Sequence, residues 1–392
     1  MKYIITCLLG CLLSLTSNSQ QWETLASLSG DAPNIPVMAS VNGKIYILAG
    51  QRYNFPSPTF IYDPSTDTWS DSGTAQPAGT YWSSGVGLNG KIYVMGGGAP
   101  YPGQTFNYIY DPATNSWSTG QALMTPRMYH NAVVAGGKIY LIGGQNGDGA
   151  SEWHFDEYDP ALDSWTRKAQ LLNNGAWYCG AVNIGDSIYR IAGGGYSASM
   201  IKKYVEAYSI TSNTWTAYPD FHRGLHAPAA VVVKDHIFLL GGSSNSADMD
   251  SVWVYNPKTG KWADAGFRLP SPMSYHKAVV LNDCIYLYKD GSLYKYCPDF
   301  SSIANNEIEI AKNSLYPNPN NGNFYIEMEN ENDFNITITN SLGQSIDHYN
   351  YQLSQNQNIL HVEMSQNNAA GFYLVTLKTN KEVRTYTLFL RN

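Results

Sequence analysis

Charge is scarce in this chain of 392 residues: Asp, Glu, Lys and Arg together make up 14%, and the formal net charge is −7. No run of Lys and Arg forms a basic patch, which excludes the electrostatic footprint of a nucleic-acid binder. Long apolar runs are missing too. The only candidate, Tyr3 to Leu15, is too short to cross a bilayer, so no transmembrane segment is expected. Common chemical fingerprints are absent as well: there is no Cys-x-x-Cys, no His-Glu-x-x-His, no phosphate loop and no dinucleotide-binding glycine pattern. The 8 His have no nucleophile-elbow context in which to form a triad. Asn146-Gly147-Asp148-Gly149 lacks the later carboxylates of a calcium loop and reads as a turn. Neither a metal nor a cofactor is expected.

What the chain does have is aromatic residues in register. Trp22, Trp69, Trp117, Trp165, Trp215 and Trp262 recur every 47 to 50 residues. A second series, Tyr46, Tyr93, Tyr140, Tyr189, Phe238 and Tyr286, keeps nearly the same interval. Five of its members are followed, three and four positions on, by Ala49-Gly50, Gly96-Gly97, Gly143-Gly144, Ala192-Gly193 and Gly241-Gly242. Such small pairs permit positive φ and close backbone approach. A third series, Tyr62, Tyr110, Tyr158, Tyr208 and Tyr255, stands seven residues before its tryptophan and usually leads into an Asp-Pro or Asn-Pro turn. Each copy reads as one four-stranded antiparallel sheet. Such a sheet cannot bury both faces alone, so six copies must stack. The sixth copy, Met273 to Cys297, has no tryptophan of its own, whereas Gln21-Trp22-Glu23-Thr24-Leu25 is an orphan tryptophan strand. Trp22 is expected to supply the outer strand of the last sheet and so close the ring.

These three series resemble the Kelch repeat, whose marks are a Gly-Gly doublet with Tyr and Trp at fixed later positions. The resemblance implies an all-β fold, a six-bladed Kelch-type β-propeller over residues 20–300. Beyond Trp262 no tryptophan recurs, Asn becomes frequent, and residues 301–312 read as a polar linker. Residues 313–392 alternate at strand period and read as a small C-terminal β-sandwich. Within them Leu315-Tyr316-Pro317-Asn318-Pro319, Gly322-Asn323-Phe324, Asn340-Ser341-Leu342-Gly343-Gln344 and Gly371-Phe372-Tyr373-Leu374-Val375 follow in order. These phrases resemble the type A C-terminal sorting domain of the type IX (Por) secretion system. Residues 1–19 read as a signal peptide, with Lys2, an apolar stretch, and Ser17 and Ser19 at small-x-small spacing. The two ends together imply passage through the periplasm to the outer cell surface or medium of a Gram-negative bacterium, with the type IX machinery as a partner.

An oxidising destination permits disulfides. Ile285 to Tyr296 reads as a hairpin that turns on Asp290-Gly291 in a type I′ turn. Counting outward pairs Lys289 with Ser292 and finally Cys284 with Cys297. The cysteines then form a non-hydrogen-bonded pair with Cα atoms about 4.5 Å apart, within disulfide reach. Cys179 is left free.

Eleven residues before each second-series aromatic, four copies carry a ring, Trp82, Tyr129, Tyr178 and Tyr275, while Ile35 and Ala227 stand in the other two. Each follows an inter-blade loop, and the Kelch resemblance implies that these loops surround one mouth of the central channel, the usual binding surface. The polar residues nearby are Arg127, His130, Arg223, His226 and His276. Aromatic rings pack on the C–H faces of sugars, and an arginine forks onto an acidic group. The expected function is a non-catalytic, monomeric binding propeller for a glycan or protein ligand. The alternative is a carbohydrate-active enzyme of the sialic acid mutarotase (epimerase) type, which needs an arginine and a carboxylate converging at the channel: Arg127 or Arg223, with Asp220 or Glu152. Asp156 and Glu206 hold equivalent positions in copies three and four, and that equivalence separates them.

Overall fold

The computed structural model describes residues 22–298, apart from positions 29 and 31 and segments 51–57, 99–102, 147–152, 174–176, 195–199 and 245–246, together with most of 315–390. The expected leader at 1–19, the linker at 301–312 and Glu152 lie outside the described residues. Among the described residues every regular element is a β-strand.

Val37–Val41, Lys44–Leu48, Pro58–Asp63 and Thr68–Ala75 pair antiparallel in chain order and make the first blade. Blades two to six repeat this pattern, with inner strands Ser84–Leu88, Asn131–Ala135, Gly180–Ile184, Ala229–Val233 and Lys277–Leu281. Each inner strand packs against the inner strands of both neighbouring blades, and blade six packs against blade one, so the sheets form a closed propeller around a channel.

Closure comes from the N-terminal segment, as the orphan tryptophan strand predicts. The outer strand of blade six is Glu23–Thr24, with Glu23 opposite Lys295 and Thr24 opposite Tyr294. Trp22, just before it, lies 5.3 Å from the Tyr296 ring and donates its indole N–H to the Arg268 carbonyl of blade five at 2.8 Å. In the same blade the hairpin has the expected register, with Lys289 opposite Ser292 and Ile285 opposite Tyr296. Cys284 and Cys297 are bonded across it, their Cα atoms 4.1 Å apart.

The aromatic series have distinct jobs. Tyr62, Tyr110, Tyr158 and Tyr208 are fully buried. Their hydroxyls donate to the side chains of Asp67, Asn115, Asp163 and Asn213 at 2.6 to 2.8 Å. Three of these acceptors also take a backbone N–H from across the seam between blades: Ala26 to Asp67, Gln121 to Asp163 and Ala169 to Asn213. A polar group sunk in an apolar seam is thereby satisfied, and the blades are latched together. The tryptophans are less uniform than their period suggests. Trp215 and Trp262 are buried, but Trp165, on an outer strand, is half-buried against Tyr158.

Residues 315–390 form two further sheets. One runs Leu315–Tyr316, Asn323–Glu327, Ile359–Met364, Tyr349–Leu353 in space, and the other Phe334–Asn340, Gly371–Thr379, Val383–Leu390. Phe324, Ile326 and Val362 of the first meet Ile338, Val375 and Leu388 of the second in one apolar core, which makes a β-sandwich.

Candidate functional site

Because strand direction alternates within a blade, the loop joining the second and third strands emerges at the same face as the loop entering the next inner strand. The residue two positions before each inner strand therefore sits at this loop face. These six residues are Ile35, Trp82, Tyr129, Tyr178, Ala227 and Tyr275, and all six take a left-handed backbone, with φ between 45° and 62°. A non-glycine residue pays about 1 kcal/mol for that conformation, so the turn is held by its surroundings. The second glycine of each doublet presses on it. At Gly97, with φ 111°, a Cβ would lie 2.6 Å from Ser83 Oγ and 2.9 Å from the Tyr81 carbonyl.

The turn throws four rings into mutual contact. Trp82 and Tyr129 lie 4.7 Å apart, Tyr129 and Tyr178 4.7 Å, and Tyr178 and Tyr275 4.9 Å between centroids. Main-chain bonds tie the blades at the same level, from Tyr129 N–H to the Trp82 carbonyl and from Tyr178 N–H to the Tyr129 carbonyl. His226 braces the cap. Its Nδ1 faces the Gly194 carbonyl at 2.7 Å, so it carries the proton, and its Nε2 accepts from the Tyr275 hydroxyl at 2.6 Å. Tyr129 and Tyr178 are buried, whereas Trp82, Tyr275 and Ile35 remain half-exposed. Beneath the rings the free space is about 30 Å³, about one water molecule's share. The cap thus closes the channel at the loop face.

One step inward stand Pro36, Ser83, His130, Cys179, Pro228 and His276. Both histidines are buried, and burial holds them neutral; His276 is pushed down to about 3 and His130 well below its ordinary value. Cys179 is the free, buried thiol, and burial pushes its pKa up, so it stays protonated and packs as a small apolar group. Below this layer a cavity of about 540 Å³ runs along the inner strands of all six blades.

The expected polar residues divide. His226 and His276 reach the cap and the layer under it. Arg127 does not: it is fully buried and turned away into blade three, where its guanidinium pairs with Asp156 and donates to Thr125 Oγ1 at 2.9 Å. Asp156 also accepts from Arg167 at 2.6 Å. A guanidinium taken out of water needs such a counter-charge, and that requirement rather than a ligand fixes Arg127. Glu206 is likewise spent on Arg190 at 3.1 Å in blade four, apart from Asp156. Arg223 is half-exposed on the loop that leads to His226, its Nε donating to His222 at 2.8 Å. Asp220 pairs with Lys203 at 3.3 Å. One residue escaped sequence reasoning. Lys277 lines the cavity where the other blades place Val37, Ser84, Asn131, Gly180 and Ala229. The signal was available as the single charge at that repeat position.

A ring of six four-stranded sheets, closed by its own first strand and capped over its channel, defines a repeat β-propeller. Residues 84–289 match the KLHDC2/KLHL20/DRC7 Kelch-repeats domain and residues 36–74 the Kelch motif, and the chain belongs to the Kelch-repeat family. Residues 314–390 match the secretion system C-terminal sorting domain, which indicates export by the type IX machinery to the cell surface or beyond. N-acetylneuraminate epimerase of Haemophilus influenzae (strain PittEE) is 35% identical over 91 residues, 22% of this chain and 24% of its own length. Kelch domain-containing protein 10 of Xenopus laevis is 29% identical over 130 residues, 28% of this chain and 31% of its own. The chain thus spans about a quarter of the length of the first curated relatives it matches. The solved structure of YjhT is similar in fold, with a TM-score of 0.57 at 16% identity, covering 69% of this chain and 95% of that one.

Proposed function

We propose that this protein is an exported binding propeller that holds a glycan at its loop face. The observation that carries the reading is the continuous aromatic cap, in which the half-exposed Trp82 and Tyr275 pack with the buried Tyr129 and Tyr178. Exposed rings over a rigid, buried layer give contact area at little entropic cost. Arg223 is the half-exposed arginine on a neighbouring loop and suits an acidic group on the ligand. Trp82→Ala is expected to weaken binding to a glycan identified on an array by about 2 kcal/mol, roughly 30-fold. Its melting temperature should fall much less than that of the core change Trp262→Ala. A Trp82→Ala protein as unstable as Trp262→Ala, or one that binds normally, would sink the proposal; a ligand found only among proteins would replace the glycan.

A second reading, a mutarotase acting on an acidic sugar, draws on the likeness to N-acetylneuraminate epimerases over 91 residues. That chemistry calls for a carboxylate beside an arginine at the channel. Among the described residues the cavity lining holds no carboxylate, which favours binding over catalysis. Following the anomers of N-acetylneuraminate by NMR tests it directly: acceleration of their exchange by the protein would make the enzyme reading the better one.

A further inference from the structure

We propose that the channel lumen beneath the aromatic cap is a second site, which binds a small oxyanion with Lys277 as its counter-charge. Lys277 opens the inner strand of blade six, opposite Tyr288. Among the described residues that line the 540 Å³ cavity, it is the only charged one. It has no ion-pair or hydrogen-bond partner among the described residues. Lys277 is half-buried and keeps part of its surface toward the lumen, yet burial still disfavours its charge, and an anion that enters beside it offsets that cost.

Among the described residues that line the lumen with it, Lys277 is the sole charge at neutral pH. Lys277 lines one space with His276 beside it and His130 of the opposite blade. Both histidines are neutral, and Cys179 is a thiol. Burial lowers Lys277 itself to about 8, so it remains mostly protonated at pH 7. Low-dielectric walls focus the field of that one charge along the lumen, inside a protein whose net charge is −7. Ser84, at the equivalent position of blade two, accepts the Ala132 N–H at 2.8 Å, and its own hydroxyl proton can turn toward an anion. The volume lies in the range of small-molecule sites. With the loop face capped, access is from the face of the tight turns. Carboxylate and phosphate share the required chemistry.

The test uses the full chain with its lysines reductively methylated with 13C-formaldehyde, which keeps their charge and gives each an NMR signal. Lys277→Arg identifies the Lys277 signal by its loss. Acetate, inorganic phosphate and uncharged acetamide are then titrated at constant ionic strength. The Lys277 signal should shift saturably with acetate or phosphate, half-saturating on the order of 1 mM, within reach of ligands this small. Acetamide should leave it unmoved. The tighter of the two anions identifies the class. A Lys277 signal that moves no more than that of Lys258, an exposed lysine, overturns the proposal. On unmodified protein, the better anion at ten times half-saturation should raise the melting temperature by about 3 °C. That rise should vanish in Lys277→Gln and persist in Lys277→Arg; a rise retained by Lys277→Gln puts the anion elsewhere and also overturns it.

Discussion

A buried histidine such as His276 makes stability depend on pH in a definite direction. Unfolded, it takes a proton near its ordinary value of 6.5; folded, it does so only near 3. The unfolded state therefore binds more protons between those limits, and folding weakens as pH falls through them. His276 contributes its full share above pH 6.5 and loses it progressively toward pH 3, with His130 acting in the same sense. Urea unfolding of the wild type should show stability dropping from pH 7 to pH 4, and His276→Gln should flatten part of that slope. An unchanged slope would mean that the ring is wetter than its burial indicates. The latch tyrosines make a second claim at this scale. Tyr158→Phe leaves the ring packed and removes the hydroxyl's bonds with Asp163 and Asn107, while Asp163 keeps its bond from Gln121. The expected cost is about 1 kcal/mol, against about 3 to 5 kcal/mol for Trp262→Ala in the core.

The strand ends show why some of this structure is legible in the sequence and some is not. The doublets could be read because positive φ selects for glycine and small residues, and all five take it at both positions. The space around each glycine could not be read. Gly97 has no room for a methyl group, whereas Gly136, in a tight turn at φ 56°, has nothing within 4 Å of a built Cβ. Gly97→Ala should therefore cost well over 2 kcal/mol, through steric clash added to backbone strain, and Gly136→Ala only about 1 kcal/mol; equal melting temperatures would contradict the packing. The Cys284–Cys297 pair was legible because a two-residue turn fixes register by counting. Arg127 was not, because its partner Asp156 stands 29 residues away on another strand. The direction of a long side chain is decided by where its charge can be matched. The cap rings were legible as a repeat position, but their packing on one another depends on six blades converging, which no single repeat encodes.

At the scale of the molecule, two separate apolar assemblies share the chain. Among the described residues, the core clusters of the propeller draw only on residues 22–294, and the sandwich core draws only on residues 324–390. Ring closure is likewise complete without the tail, since Glu23–Thr24 seals blade six. The disulfide reinforces the same blade. Linking residues 13 apart removes about 3 kcal/mol of freedom from the unfolded chain, in the sheet where the ring is joined. Removing residues 313–392 should therefore leave propeller stability unchanged and alter only delivery, since it is this segment that matches the sorting domain. In a bacterium with type IX secretion, the full chain should be open to protease added outside the cells or be found in the medium. The truncated chain should accumulate in the periplasm, folded and melting at the same temperature as the propeller of the full chain. A truncated protein that reaches the surface as well as the full chain does would refute the role assigned to the C-terminal sandwich. One that fails to fold would refute the independence of the two cores.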